Sequence, residues 1–155
     1  MLSVAAVDLF AQRSNRSRRA AVSNAQIVDK GARDVGIQVK NVSKYVFVLG
    51  GIATGIEDID KQVREGKVSP EIARQNEEYK ARVRQSIKDL RNGLVRLEVD
   101  FRSKTPLRKY YPQLQGVRDL SFRAEDLANE GRFRDSGKQL LIIIEKLTDV
   151  LVDMP

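Results

Sequence analysis

The sequence predicts an all-α chain, an up-down antiparallel four-helix bundle preceded by an irregular N-terminal arm. Three observations carry this expectation. Between Tyr79 and Arg102 the apolar residues Tyr79, Val83, Ile87, Leu90, Leu94, Leu97 and Phe101 recur every three or four positions. At about 100° per residue they fall in one arc roughly 80° wide, the mark of a helix that buries a single stripe. Helix stops and starts also follow each other closely, with Gly66 ahead of Ser69–Pro70–Glu71 and Gly131 ahead of Phe133. Finally, no stretch carries a defensible strand pattern.

Taken in order, residues 1–40 read as a flexible basic arm that is helical only in part. Met1 to Phe10 is a short apolar patch, followed by Arg13, Arg16, Arg18 and Arg19 among Ser and Asn. Richness in Arg, Ser and Ala with few acids is the composition of organelle transit peptides, and a basic arm without such a history fits equally. Arg18–Arg19 matches the opening of a twin-arginine signal, but the residues from Ala20 onward are too polar for its apolar core. Gly31 and Gly36 each weaken a helix by about 1 kcal/mol, which leaves residues 24–40 part helical and part extended. Residues 41–155 are assigned to the bundle. Its first helix carries Val42, Tyr45, Val46, Leu49, Ile52, Ile56, Ile59 and Val63 and stops at Gly66, a residue suited to the left-handed position after a helix. The apolar run Tyr45–Ile56 is too short for a bilayer, which needs about 20 residues.

Ser69–Pro70–Glu71 opens the second helix with a hydroxyl cap, a proline in the first turn and an acid at the positive end of the dipole. It extends to Ser103. A third helix starts near Tyr111, after Thr105–Pro106 and beside Pro112, and runs on Leu114, Val117, Leu120, Ala124 and Leu127 to Gly131. The fourth carries Phe133, Leu140, Ile144, Leu147, Leu151 and Met154. Short connections make neighbours antiparallel. The expected product is a monomer whose core includes Leu49, Ile52, Leu90, Leu94, Leu97, Leu120, Leu127, Leu140, Ile144 and Leu147.

Composition narrows the chemistry. The 155 residues are 32% charged and 41% apolar, enough for one domain with a real core and too apolar for wholesale disorder. Cysteine, histidine and tryptophan are absent, which removes the thiolate nucleophile, the commonest metal ligand and the commonest general base. No enzyme, cofactor or metal site is expected. The net charge of +7 is unevenly placed. Residues 80–118 hold eleven bases and three acids, and residues 119–155 hold five bases and eight acids. Such asymmetry points to docking on an anionic surface, whether protein, nucleic acid or membrane, and a solvated surface would show the same tally.

The second helix sharpens this. Lys80, Arg84, Lys88, Arg91 and Arg102 project onto one flank, opposed only by Glu98, while Arg96 and Asp100 sit at pairing distance on the remaining face. The candidate docking residues are therefore Arg13, Arg16, Arg18 and Arg19 in the arm with Lys80, Arg84, Lys88, Arg91 and Arg102 on the flank. Three further motifs weigh less. Gly50–Gly51–Ile52–Ala53–Thr54–Gly55 lacks the ending and the preceding strand of a phosphate loop, so the glycines are expected to admit a close helix neighbour. Glu57, Asp58 and Asp60, or Glu77 and Glu78, lack the spacing of an EF-hand loop. Tyr110–Tyr111 beside Arg108–Lys109 could stack on bases, although aromatics at a helix start more often anchor a loop to the core.

The order of features in the second half is more distinctive. Leu90–Arg91–Asn92–Gly93–Leu94, a proline-punctuated turn, Leu120 to Gly131, and Phe133 to Pro155 together resemble the PsbQ family, the extrinsic lumenal subunits of photosystem II, including the PsbQ′ forms. Ala128–Asn129–Glu130–Gly131–Arg132–Phe133 is similar to the family's Ala-x-x-Gly-aromatic turn, and Leu151–Val152–Asp153–Met154–Pro155 to its C-terminal tail. The likeness covers about residues 69–155, and residues 1–40 do not take part in it. It implies a four-helix bundle with a long arm, located in the chloroplast thylakoid lumen and peripheral on the membrane. It further implies a non-catalytic role in stabilising the oxygen-evolving complex and helping it retain calcium and chloride. The partners would be subunits of photosystem II, with no nucleic acid. The alternative from composition alone is a basic helical module that binds nucleic acid or an anionic membrane surface.

Overall fold

The computed structural model describes the backbone of residues 5–155 and the side chains from Ser17 onward. The side chains of the apolar patch at residues 1–10 and those of Arg13 and Arg16 lie outside the described residues. The described chain is all-helical, with five α-helices and one 3-10 helix: α1 (Ala5–Arg64), α2 (Pro70–Ser103), the 3-10 helix (Thr105–Tyr110), α3 (Tyr111–Leu114), α4 (Val117–Asn129) and α5 (Phe133–Asp153). The count differs from the expected four because the third predicted helix is broken. Gly116 takes φ 92°, a left-handed conformation that a side chain would resist, and it separates the four-residue α3 from α4.

The first helix also corrects the sequence. The arm is helical from Ala5 onward, and α1 passes through Gly31 and Gly36 without interruption. The reason is tertiary. Ile27, Val28, Ala32, Val35, Val39 and Val42 lie on the face turned to the core, and Val35 and Val42 are fully buried. At Gly31 an added Cβ would stand 2.7 Å from Leu107, so this glycine lets the 3-10 helix press against α1. Burial of a continuous apolar face outweighs the propensity cost. The boundary drawn at residue 40 therefore falls inside one helix, and the packed part of α1 begins near Ile27.

Local signals elsewhere hold. Gly66 and Gly131 have φ 65° and 77°, and Ser69 caps α2 by accepting from the Ile72 N–H at 3.3 Å. The side-chain contacts give the directions: Tyr45 reaches Val83 and Lys80 reaches Asp60, so α1 and α2 are antiparallel. Arg84 reaches Ala128 and Arg91 reaches Glu125, so α2 and α4 are antiparallel as well. Glu57 meets Arg134 at the start of α5, while Gly31 lies by Met154 at its end. Leu49, Leu94, Leu97, Leu127, Leu140 and Leu147 are buried as expected, and Leu90, Leu120 and Ile144 pack against the core from its margin. Ile52 does not belong to it and is exposed, as is Tyr79. Among the described residues, no helix is long and apolar enough to cross a membrane.

Candidate docking surface

The flank read from the second helix is not bare. Lys80 is only 8% exposed. Its ammonium donates to Asp60 Oδ1 at 2.9 Å and to Glu77 Oε1 at 2.6 Å. Asn76, also buried, donates to the same Asp60 oxygen at 2.8 Å and to the Ile56 carbonyl. Burial pulls the Lys80 pKa down, but the hydrogen bonds and charges of Glu77 and Asp60 outweigh it and hold the value above that of an ordinary lysine. Arg84 donates to the Ala128 carbonyl at 3.3 Å, a second donor to an acceptor in the last turn of α4 that also takes the Gly131 N–H. Arg91 pairs with Glu125 at 2.5 Å, and its guanidinium lies 4.8 Å from the Phe122 ring centre, with Arg118 also within reach of that ring. Three of the five flank residues thus sew α2 to α1 and α4. Lys88 and Arg102 are exposed and make no ion pair among the described residues. The expected Arg96–Asp100 pair is absent as well: Asp100 pairs with Lys104, and Arg96 donates to the Asn92 carbonyl.

Exposed bases without an ion pair occur along the described residues, and three of them meet at one end of the molecule. Arg102, Arg108 and Lys109 are all exposed around the junction of α2 with the 3-10 helix. Arg108 donates to the carbonyls of Arg102 and Ser103 at 3.2 and 3.4 Å, holding its charge over the negative end of α2. Lys109 lies 4.6 Å from the centre of the Tyr110 ring. That ring is itself buried, so it anchors the loop and is not presented for stacking. The same end is the root of the projecting part of α1, because Leu107 packs on Gly31. Arg18 and Arg19 are exposed on that projection.

At the opposite end, a cleft of about 840 Å³ is lined by acids and bases in equal measure, among them Glu57, Asp60, Glu130, Arg132, Arg134 and Asp135. Most are engaged with each other. Neither α4 nor α5 is capped by its own N-cap side chain, and a distant glutamate serves each. Glu98 accepts from the Arg118 N–H at 2.7 Å, and Glu57 accepts from the Arg134 N–H at 3.0 Å while binding the Arg134 side chain at 2.5 Å. Four of the five carboxylates considered for calcium are held by cations, Glu57 by Arg134, Asp60 and Glu77 by Lys80, and Glu78 by Arg74, while Asp58 is exposed. No group of three or more acidic side chains among the described residues is arranged to hold a metal ion.

Two features escaped the sequence. The capping glutamates carry no local signal, since each serves a helix from another part of the chain. The basic end was visible as Arg108–Lys109, but only its contact with α1 joins it to the arm. Comparison with protein-family models, curated proteins and solved structures found no match.

Proposed function

We propose that the chain is a non-catalytic, PsbQ-like extrinsic subunit that docks on the lumenal face of photosystem II, peripheral to the thylakoid membrane. There it would stabilise the oxygen-evolving complex and help it retain calcium and chloride. In this reading α1, α2, α4 and α5 act as an up-down four-helix bundle, with the 3-10 helix and α3 as a folded connection. The features that resemble the family support it: Gly131 turns the chain between α4 and a buried Phe133, and Met154 tucks under the core at the C-terminus.

The observation that carries the docking mechanism is the shared end of the unpaired bases and the projecting helix. Arg102, Arg108 and Lys109 stand where α1 leaves the packed helices, and Arg18 and Arg19 extend the positive surface outward. Charge complementarity to carboxylates would orient the subunit and speed its encounter more than it would add raw affinity. Lys80, Arg84 and Arg91 hold the scaffold in this reading, and Lys88 and Arg102 are the flank residues left for a partner.

Reconstitution tests this. Photosystem II membranes stripped of extrinsic proteins should recover oxygen evolution at low calcium and chloride when the wild-type chain is added. Arg102→Glu/Arg108→Glu/Lys109→Glu protein should not restore it. Equal rescue by the reversed protein would remove these residues from docking. Failure of the wild-type chain, with binding to duplex DNA on a steep salt slope or to anionic vesicles, would move the function to the basic-module alternative.

A further inference from the structure

One face of α1 has no neighbour within the chain. Phe47 is 85% exposed and Val48 55%, at mid-helix and side by side. A turn further on are Gly51 and Gly55, where an added Cβ would meet nothing within 4 Å. The close helix neighbour expected at these glycines is not supplied by α2, α4 or α5. Each glycine still lowers helix stability by about 1 kcal/mol relative to alanine, so a contact from outside the chain is the remaining structural use for them.

The charges on this face specify the occupant. At about 100° per residue, Lys44, Phe47, Gly51, Gly55 and Asp58 fall within about 40° of one line along the helix. The base stands N-terminal to the apolar centre and the acid C-terminal to it. Neither Lys44 nor Asp58 has an ion-pair partner among the described residues. Such an order is complementary to itself when reversed. From a second copy, we infer that α1 receives another α1, antiparallel about a two-fold axis at Gly51. Phe47 then faces the partner subunit's Gly55, and Lys44 faces the partner subunit's Asp58, because each pair straddles residue 51 symmetrically. The large side chain fills the space that the missing Cβ leaves, and both charges are matched twice, once on each side of the axis. A parallel pair would set like charges against each other, which is unfavourable. The contact is isologous and closes at two copies. It departs from the monomer expected from the sequence, and it does not depend on the photosystem reading.

Sedimentation equilibrium of the full chain tests it. The wild type should dimerise reversibly. Lys44→Glu or Asp58→Lys alone should weaken the dimer about tenfold, since each reversal opposes two exposed pairs, and the double reversal should restore it. The chain has no cysteine, so single cysteines report the register cleanly. Gly51→Cys should form an inter-chain disulfide readily, while Lys40→Cys should not, because its symmetric copy lies far along the antiparallel helix and a disulfide needs Cα atoms within about 7 Å. A chain that is monomeric at every concentration overturns the inference. Equal cross-linking at both positions, or no rescue by the double reversal, overturns the antiparallel register. Protection of Phe47 only when another protein is added would assign the face to that protein.

Discussion

At the end where α1 meets the turn between α4 and α5, charged side chains do the joining. Asp60, Asn76, Lys80 and Glu77 form one hydrogen-bonded group, and Glu57 clasps Arg134 across the α1–α5 contact. At the other end the joining is apolar. Leu107, Tyr110, Leu114 and Met154 are buried there, and Gly31 yields space to Leu107. The bases at the apolar end, Arg102, Arg108 and Lys109, are left in water, whereas at the polar end Lys80 is withdrawn from it. The same residue types therefore do opposite work. Whether a cation is available to a partner depends on whether a carboxylate from another helix arrives beside it.

The largest effect should come from the apolar end. Leu107→Ala removes a fully packed side chain and leaves a cavity beside Gly31, which should cost about 2–5 kcal/mol in a denaturant titration. A loss below about 1 kcal/mol would mean that the 3-10 helix merely lies on the surface and that this end is not locked.

At the polar end, Lys80→Met keeps the volume but leaves Asp60 and Glu77 without their cation. Breaking such a pair from one side should cost about 3 kcal/mol, while Lys80→Arg should recover much of it. The pH dependence follows from sign. The Lys80 pKa is raised in the folded chain, and so is that of Tyr45, whose buried hydroxyl donates to the Val83 carbonyl at 3.0 Å. Both groups favour folding fully below their unfolded values, near 10, and that contribution is lost as pH rises through the higher folded values. Stability should hold to about pH 10 and decline above it, with a shallower decline in Tyr45→Phe. A chain equally stable at pH 9 and 11.5 would contradict both assignments.

A smaller effect belongs to the capping glutamates. Glu57→Ala frees the Arg134 N–H and breaks the side-chain contact, and the cost should be about 1 kcal/mol, as for other lost N-caps. Hydrogen exchange should rise in the first turn of α5 and nowhere in α2. Exchange that rises equally in α2 would mean that Glu57 supports the whole polar end.

How much of this was legible follows the reach of each signal. Ser69–Pro70, Gly66 and Gly131 act within a turn of their own position, and the structure places helix ends there as the sequence predicts. The stripe from Val83 to Phe101 is likewise a property of one helix, and all but its margins are buried. Misreadings arose where a distant residue decides. Helical projection placed Lys80, Arg84 and Arg91 correctly beside the apolar arc, but in packed helices that flank faces the next helix. Their partners come from Asp60, Ala128 and Glu125. Gly31 looked like a helix breaker because Leu107 was not in view. Gly116 was hidden by the regular spacing of Leu114, Val117 and Leu120, which fits an unbroken helix as well as a broken one.

The smallest effect on stability is expected from the arm, and it bears on the comparison because the arm extends from the apolar end. Residues 17–26 are exposed on every face, and contact with the core begins at Ile27 and Val28. Deleting residues 1–23 should therefore change stability by no more than about 0.5 kcal/mol, the range of surface changes. Deleting residues 1–35 removes Ile27, Val28 and Val35 and opens the seat of Leu107 at Gly31, so it should weaken the fold by several times as much. The two truncations together locate the point at which α1 joins the packed helices. A large loss from the shorter deletion would show that residues 1–23 contribute to folding after all. A negligible loss from the longer one would show that the apolar end is closed by the 3-10 helix and α5 without α1. If both behave as expected, the arm is a helical extension of about 30 Å, taking 1.5 Å per residue, that is free to serve docking. Salt should then separate its role from the fold: with the Debye length falling from about 10 Å at 0.1 M to 3 Å at 1 M, attachment of the full chain to stripped membranes should weaken steeply, while its melting temperature should barely move.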